Sequence, residues 1–239
     1  MLVGVVAGLL SFLFLKIYGE PQLDIAVAFE TQMQAAKAAA AGGSSIEEGP
    51  ELVSRQVQAG LGLLTAAMVY SIAFGGLFGL AFAFAYRRVP GAATPQGVSA
   101  LLAAAGFVAV YLVPNLKYPA SPPSVGVADT IGVRTALYFT MMAVSIVAMI
   151  GAFSLKRILV NRFTDWNATL AVAAYYVIIV AIAAWLLPAV NEVPEQFPAV
   201  VLWKFRVASI GAQFIMWATL GLLFGAWTQR ALVNDAQRA

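Results

Sequence analysis

The residues of this 239-residue sequence that could do chemistry gather on one set of connections. They are Gly19-Glu20-Pro21 with Asp24, the loop from Pro114 to Pro123, Asp129, Arg134, Glu192, Glu195, Lys204 and Arg206. Arginines set among carboxylates either bind acidic groups brought from outside or pair internally, here with Glu20, Asp24, Glu192 or Glu195. Arg134 and Arg206 each stand where an apolar helix opens. A basic residue at that end opposes the helix dipole, so it needs a carboxylate partner or a lipid headgroup to snorkel to. The loop Pro114-Asn115-Leu116-Lys117-Tyr118-Pro119-Ala120-Ser121-Pro122-Pro123 is too rich in proline for helix or paired strand. Its prolines fix φ and hold the preceding residues extended, which gives a rigid, shaped segment. Such a segment lines a binding cavity or caps helix ends, and the sequence leaves both readings open.

Other chemistries find no support. The chain has no His and no Cys, so imidazole proton shuttling, thiolate catalysis and disulfides are excluded. No phosphate-cradling Gly-Lys-Ser/Thr loop and no Ser/His/Asp set is present. Inside the apolar stretches the polar atoms include those of Thr65, Ser71, Thr140, Ser145, Ser209, Gln213 and Thr219, with no carboxylate to relay protons. These residues do not describe an enzyme, and no cofactor is evident.

The elements that must position the polar residues follow from composition. The sequence is 62% hydrophobic and only 10% charged, against about 45–50% and about 25% in soluble domains. Lipid must therefore be its main solvent. Six apolar segments, at 2–18, 57–86, 97–113, 134–155, 166–187 and 205–228, predict an all-α integral membrane protein forming a single membrane domain over 1–239. No basic residue precedes the first segment and no small-x-small site follows it, so it reads as a retained helix and not a signal peptide. The outer loop at 19–56 contains a second helical pattern from Leu23 to Ala41. Leu23, Ala26, Phe29 and Met33 share one face of it, as in an amphipathic helix lying on the membrane surface. Gly42-Gly43-Ser44-Ser45 ends that pattern, and Pro50 with Glu51 suits the first turn of the next helix. Tyr18, Tyr86, Tyr118, Trp166, Trp203 and Trp227 fall near span ends, as an aromatic belt requires.

The formal charge of +3 is too small to suggest nucleic acid. It bears on orientation instead. Seven basic residues fall on each side, but on one side Arg87, Arg88, Lys156, Arg157 and Arg162 cluster in two short hairpins, while nine acids lie on the other. The positive-inside rule then places both termini in the cytoplasm of a bacterial inner membrane. Two arginine-to-arginine spans, Arg134 to Arg157 and Arg206 to Arg230, follow prolines in similar order, and Arg55 to Arg87 fits more loosely. Three repeated helical hairpins would explain this; so would the prolines and basic residues that any hairpin carries at its ends. Gly75 with Gly79, and Gly221 with Gly225, place small residues one turn apart for helix packing.

Several of these motifs together resemble the CbtA family of predicted cobalt transporter subunits. They are Gly19-Glu20-Pro21 with Asp24 and Glu30, Val53-Ser54-Arg55 leading to Gly60-Leu61-Gly62-Leu63-Leu64, and Phe74-Gly75-Gly76-Leu77-Phe78. To these add the Leu116-Lys117-Tyr118-Pro119-Ala120-x-Pro122-Pro123 loop with Val125-Gly126, Asp129-Thr130-Ile131-Gly132 and Arg134-Thr135, then Phe197-Pro198-Ala199, Trp203 and Phe205-Arg206. The resemblance implies transport of Co²⁺ as substrate beside a small single-span partner with a His-rich tail. Under it, Glu20, Asp24, Asp129, Glu192 and Glu195 would serve as metal ligands, with histidines from the partner. The rival expectation is a non-catalytic accessory subunit of a larger membrane complex. There Arg55, Lys117, Tyr118, Pro119, Arg134, Lys204 and Arg206 would shape or dock the outer loops.

Overall fold

Backbone amides in a bilayer core find no water, so each apolar stretch must close its hydrogen bonds within itself. The computed structural model, which describes residues 1–40, 53–86, 88 and 94–238, meets this with six helices long and apolar enough to cross a membrane. They are α1 (Leu2–Ala40), α2 (Arg55–Ala85), α3 (Pro95–Lys117), α4 (Ala128–Leu159), α5 (Asp165–Leu186) and α6 (Ala199–Arg238). No strand occurs among the described residues. Each apolar segment read from the sequence corresponds to one of these helices. The expected stop at Gly42–Ser45, the expected start at Pro50-Glu51 and the Arg87 side chain lie outside the described residues.

The surface helix is corrected by the structure. Residues 20–40 are helical, but they run on from the first span with no turn at Gly19-Glu20-Pro21. A proline inside a helix removes one N–H bond and crowds the carbonyl four residues back. Here a π-helical turn at Leu15–Gly19 precedes Pro21, and the Glu20 N–H donates to the Leu15 carbonyl, which widens the turn and absorbs the proline without a break. At about 1.5 Å per residue, the part from Glu20 to Ala40 carries the helix about 30 Å onward. Its apolar face is the expected one, but the face covers protein. Ala26 is fully buried against Val125, Phe197 and Val201, and the Phe29 and Phe197 rings meet edge to face at 5.1 Å. A π-helical turn at Phe107–Leu112 stands in the same relation to Pro114 in α3, so the segment expected to be non-helical from Pro114 stays helical through Lys117 and becomes a loop from Tyr118.

In lipid, helices hold together by close packing and buried hydrogen bonds. α1 packs on α2 and α6, and α3 packs on α6 and α4. A Cβ on Gly4 would stand 2.5 Å from the Ser71 carbonyl oxygen, and Gly75 lies against the backbone of that same Gly4. Gly79 faces the Phe224 ring, Gly221 sits on Ala103, and Gly225 abuts Gln96 and Ser99. The buried hydroxyls of Ser11 and Ser99 donate to the Ala212 and Gly221 carbonyls at 3.2 and 2.7 Å, stitching α1 and α3 to α6. Trp217, Phe74, Phe78 and Phe224 fill the space between.

This packing is not that of three equivalent hairpins. α5 rests mainly on α4, whereas α6 leaves its sequence neighbour and inserts between α1 and α3. Glycines of α6 make room on both sides: Gly221 and Gly225 admit the backbone of α3, and Gly211 admits the Phe14 ring of α1. On the face that carries the termini, Lys156 pairs with Asp165 at 3.3 Å across the α4–α5 turn.

Replacing Gly4 by Val is expected to lower the melting midpoint of the detergent-purified chain, since overpacking of this kind costs about 1–3 kcal/mol. Gly132→Ala, where nothing lies within 4 Å, should be neutral or mildly stabilising. A Gly4→Val midpoint equal to the parent's would show that α1 and α2 do not meet this closely.

Candidate functional site

The start of α2 at Arg55, the α3–α4 loop and the α5–α6 loop lie on the face opposite the N-terminus, and charged residues there are held in two clusters. In the first, Arg55 opens α2 and reaches across to α1. Its guanidinium contacts the Glu20 carboxylate at 2.5 Å and the Asp24 carboxylate at 2.8 Å. Glu20 and Asp24 lie four residues apart on one helix face, so one arginine can take both. Glu20 is buried at 7% exposure, and its charge is matched at the site where Arg55 would otherwise oppose the α2 dipole. Nearby, the Lys16 ammonium donates to the Ala59 carbonyl at 2.9 Å.

The second cluster joins the proline loop to the α5–α6 connection. One Glu192 carboxylate oxygen accepts the Val127 N–H at 2.7 Å and the Thr130 hydroxyl at 2.9 Å, with the Arg134 Nε 3.5 Å away. Arg134 also donates to the Val127 carbonyl at 3.3 Å. Gly126 is required there twice over. Its φ of +112° lies where side chains are strained, and a Cβ would collide with the Arg134 guanidinium. Tyr118 donates its hydroxyl to the Pro188 carbonyl at 2.8 Å, Asn115 accepts the Ala120 N–H at 3.2 Å, and Arg206 donates from Nε to the Ala120 carbonyl at 3.3 Å. The Val127 amide and Thr130 hydroxyl hold the Glu192 carboxyl below the ordinary carboxylate range; burial opposes them in part, and Arg134 adds a smaller lowering effect.

These contacts enclose a cavity of about 470 Å³. Arg134, Arg206 and Glu192 line it with the polar groups of Asn115 and Thr135, and Tyr111, Tyr118 and Tyr138 form its inner wall. The Tyr111 hydroxyl is buried there with no hydrogen-bond partner among the described residues. A smaller cavity of about 210 Å³ lies between α1 and the proline loop, bounded by Glu30, Met33, Lys37 and Ser124.

The structure thus divides the residues singled out by sequence. Arg134 and Arg206 meet in one cavity with Glu192, while Glu20, Asp24 and Arg55 form a separate clamp. Asp129, Glu195 and Lys204 are exposed and take no part in an ion pair among the described residues. Tyr118 is buried in service of the loop, Pro119 lines the cavity, and Lys117 is half-buried over the Tyr118 ring. No three carboxylates among the described residues stand close enough together to hold a metal ion. Tyr111, Thr135 and Tyr138 were not singled out by sequence reasoning. They lie near the ends of apolar spans, where a tyrosine or threonine reads as ordinary interface composition, and only the folding of the loop over them makes them walls.

The family model described as "Probable cobalt transporter subunit (CbtA)" matches residues 1–229 of the chain. No curated protein and no solved structure matches it.

Because folding depresses the Glu192 pKa, the stability it contributes is fully present above its ordinary value of 4.5 and is lost as pH falls through the lower folded value. The melting midpoint of the parent should therefore drop on acidification from about pH 6 to about pH 3. Glu192→Gln should melt lower than the parent at neutral pH and show a flatter acid dependence. Parallel pH profiles for the two proteins would refute this latch.

Proposed function

We propose that this chain, which belongs to the CbtA family of probable cobalt transporter subunits, is the membrane-spanning subunit of a divalent-metal transporter with cobalt as its substrate. It is a multi-pass membrane protein, and we place it in the bacterial cytoplasmic membrane with both termini inside. The loop face, with its cavity, then looks outward, where substrate arrives. In this reading the chain catalyses no covalent step. The observation that carries the proposal is the family match over nearly the whole chain.

The carboxylates suggest a division of labour. Glu20, Asp24 and Glu192 are engaged by arginines, and a metal ion would have to displace those partners to bind them. Asp129 and Glu195 are exposed on the same face and free of ion pairs among the described residues, so they are the carboxylates best placed for capture. Two carboxylates do not complete a Co²⁺ coordination sphere, and Co²⁺ favours imidazole as well as oxygen. The remaining ligands would come from a partner subunit, for which a small His-rich single-span protein is the chemically fitting kind.

The rival is an accessory subunit of a larger membrane assembly that moves no ion itself. One observation favours it, the lack of a three-carboxylate group among the described residues. Its docking surface would use the exposed Leu116, Trp203 and Lys204, since Tyr118 faces inward.

Cells expressing the chain with its partner should accumulate radioactive cobalt above control cells. Asp129→Asn combined with Glu195→Gln should cut that accumulation several-fold without lowering the melting midpoint. Glu20→Gln should lower the midpoint, because Arg55 loses its buried partner and keeps the exposed Asp24. Unchanged accumulation in the double variant would remove the capture role. Gentle extraction followed by mass spectrometry separates the two readings: a small His-rich companion supports transport, and subunits of a large respiratory or photosynthetic assembly support the accessory role.

A further inference from the structure

The charge of the 470 Å³ cavity is opposite to that expected for a site that takes a bare metal ion. Two guanidiniums, Arg134 and Arg206, face one carboxylate, Glu192. That carboxylate is already occupied by the Val127 amide, the Thr130 hydroxyl and Arg134. Arg206 is different. Its single hydrogen bond among the described residues runs from Nε to the Ala120 carbonyl, and no carboxylate of those residues lies within 4 Å of it. A half-buried guanidinium with its two terminal nitrogens uncommitted is a fork shaped for a carboxylate or phosphate. Around it stand neutral donors: Asn115, itself only 4% exposed, Thr135, and the unpartnered Tyr111 hydroxyl. The volume falls within the range of about 300–1,000 Å³ typical of small-molecule sites, far more than a lone ion needs. The tyrosine wall offers an apolar surface for the body of such a ligand.

We propose that this cavity is an oxyanion site in which Arg206 holds a carboxylate or phosphate group, with Arg134 as the second positive charge. The chemistry is common to two sources, a soluble organic acid (including one carrying a chelated metal) and the phosphate of an anionic lipid headgroup. The proposal stands on the charge and shape of the cavity, and rests on the transport reading only for why a transporter would handle such a ligand.

The test uses the full chain in detergent and in nanodiscs. Citrate and inorganic phosphate are titrated at constant ionic strength by calorimetry, and lipid retained through purification is identified by native mass spectrometry. Saturable binding of citrate or phosphate that Arg206→Gln weakens roughly tenfold or more would establish a soluble oxyanion ligand. Retained phosphatidylglycerol or cardiolipin that disappears in the same variant would establish a headgroup. Arg206→Lys should keep part of either signal, and Arg157→Gln, an equal charge change on the opposite face, should keep all of it. Should Arg206→Gln fail to fold, Thr135→Asp tests the same cavity, because it adds a negative charge at an exposed wall position and should likewise expel the anion. Absence of both ligands, or binding indifferent to these variants, would overturn the proposal. Cobalt accumulation measured alongside keeps the two ideas apart: uptake without oxyanion binding sinks this inference alone, and oxyanion binding without uptake sinks the transport reading alone.

Discussion

Glu192 accepts hydrogen bonds from the Val127 amide and the Thr130 hydroxyl through one oxygen while Arg134 stands beside it, and the loop face is organised around that contact. It joins a loop between α3 and α4 to a loop between α5 and α6, segments some sixty residues apart that share no regular secondary structure. Irregular backbone next to a bilayer is tolerated where protein buries it or where it lines a cavity. Both conditions hold here. The proline loop is pinned from Asn115, Tyr118, Val127 and Thr130, and the space left beneath it is the cavity. The Arg134 guanidinium fits because position 126 has no side chain and can hold a φ of +112°.

Arginines on three helices supply the electrostatic theme of this face. Arg55 opens α2, where the helix dipole disfavours positive charge, whereas Arg134 lies in the second turn of α4 and Arg206 two turns inside α6, because the structure starts those helices at Ala128 and Ala199, earlier than the apolar stretches suggest. Among the described residues, the first is matched by Glu20 and Asp24, the second by Glu192, and the third by a neutral carbonyl. That inequality leaves a net positive charge in a cavity of a protein whose family is described by its cation. An arginine beside a neutral carbonyl keeps most of its charge available, so the cavity suits an anionic ligand or counter-ion. Under the proposed transport reading, the carboxylates that would capture a metal, Asp129 and Glu195, do not line the cavity.

Beneath the loops, the bundle solves two separate problems of a chain in lipid. Backbone bonding is preserved through Pro21 and Pro114 by π-helical turns placed just before them, so α1 continues far beyond its apolar stretch and brings Ala26 and Phe29 over the α6 start and the proline loop. Association is solved by small residues and buried hydroxyls on α1, α3 and α6. α5, mostly exposed along its length, relies on α4 and on the surrounding lipid.

Much of this was legible in the sequence because hydropathy over some twenty residues reports directly on the solvent a segment needs. The number of spans, their order and the side holding the polar residues follow from that, and so does the need of Arg134 and Arg206 for partners. The apolar face of residues 23–33 was legible too, but what covers it was not, since periodicity specifies a face and not its neighbour. Tertiary structure alone decided that Glu20 and Asp24 answer Arg55, that Glu192 answers Arg134, and that Arg206 is left with a carbonyl. It alone placed α6 between α1 and α3 instead of against α5. The physical reason is the same in each case: pairing of charges and packing of glycines depend on distances between segments far apart in the chain, and a single sequence records which residues are available but not which of them meet.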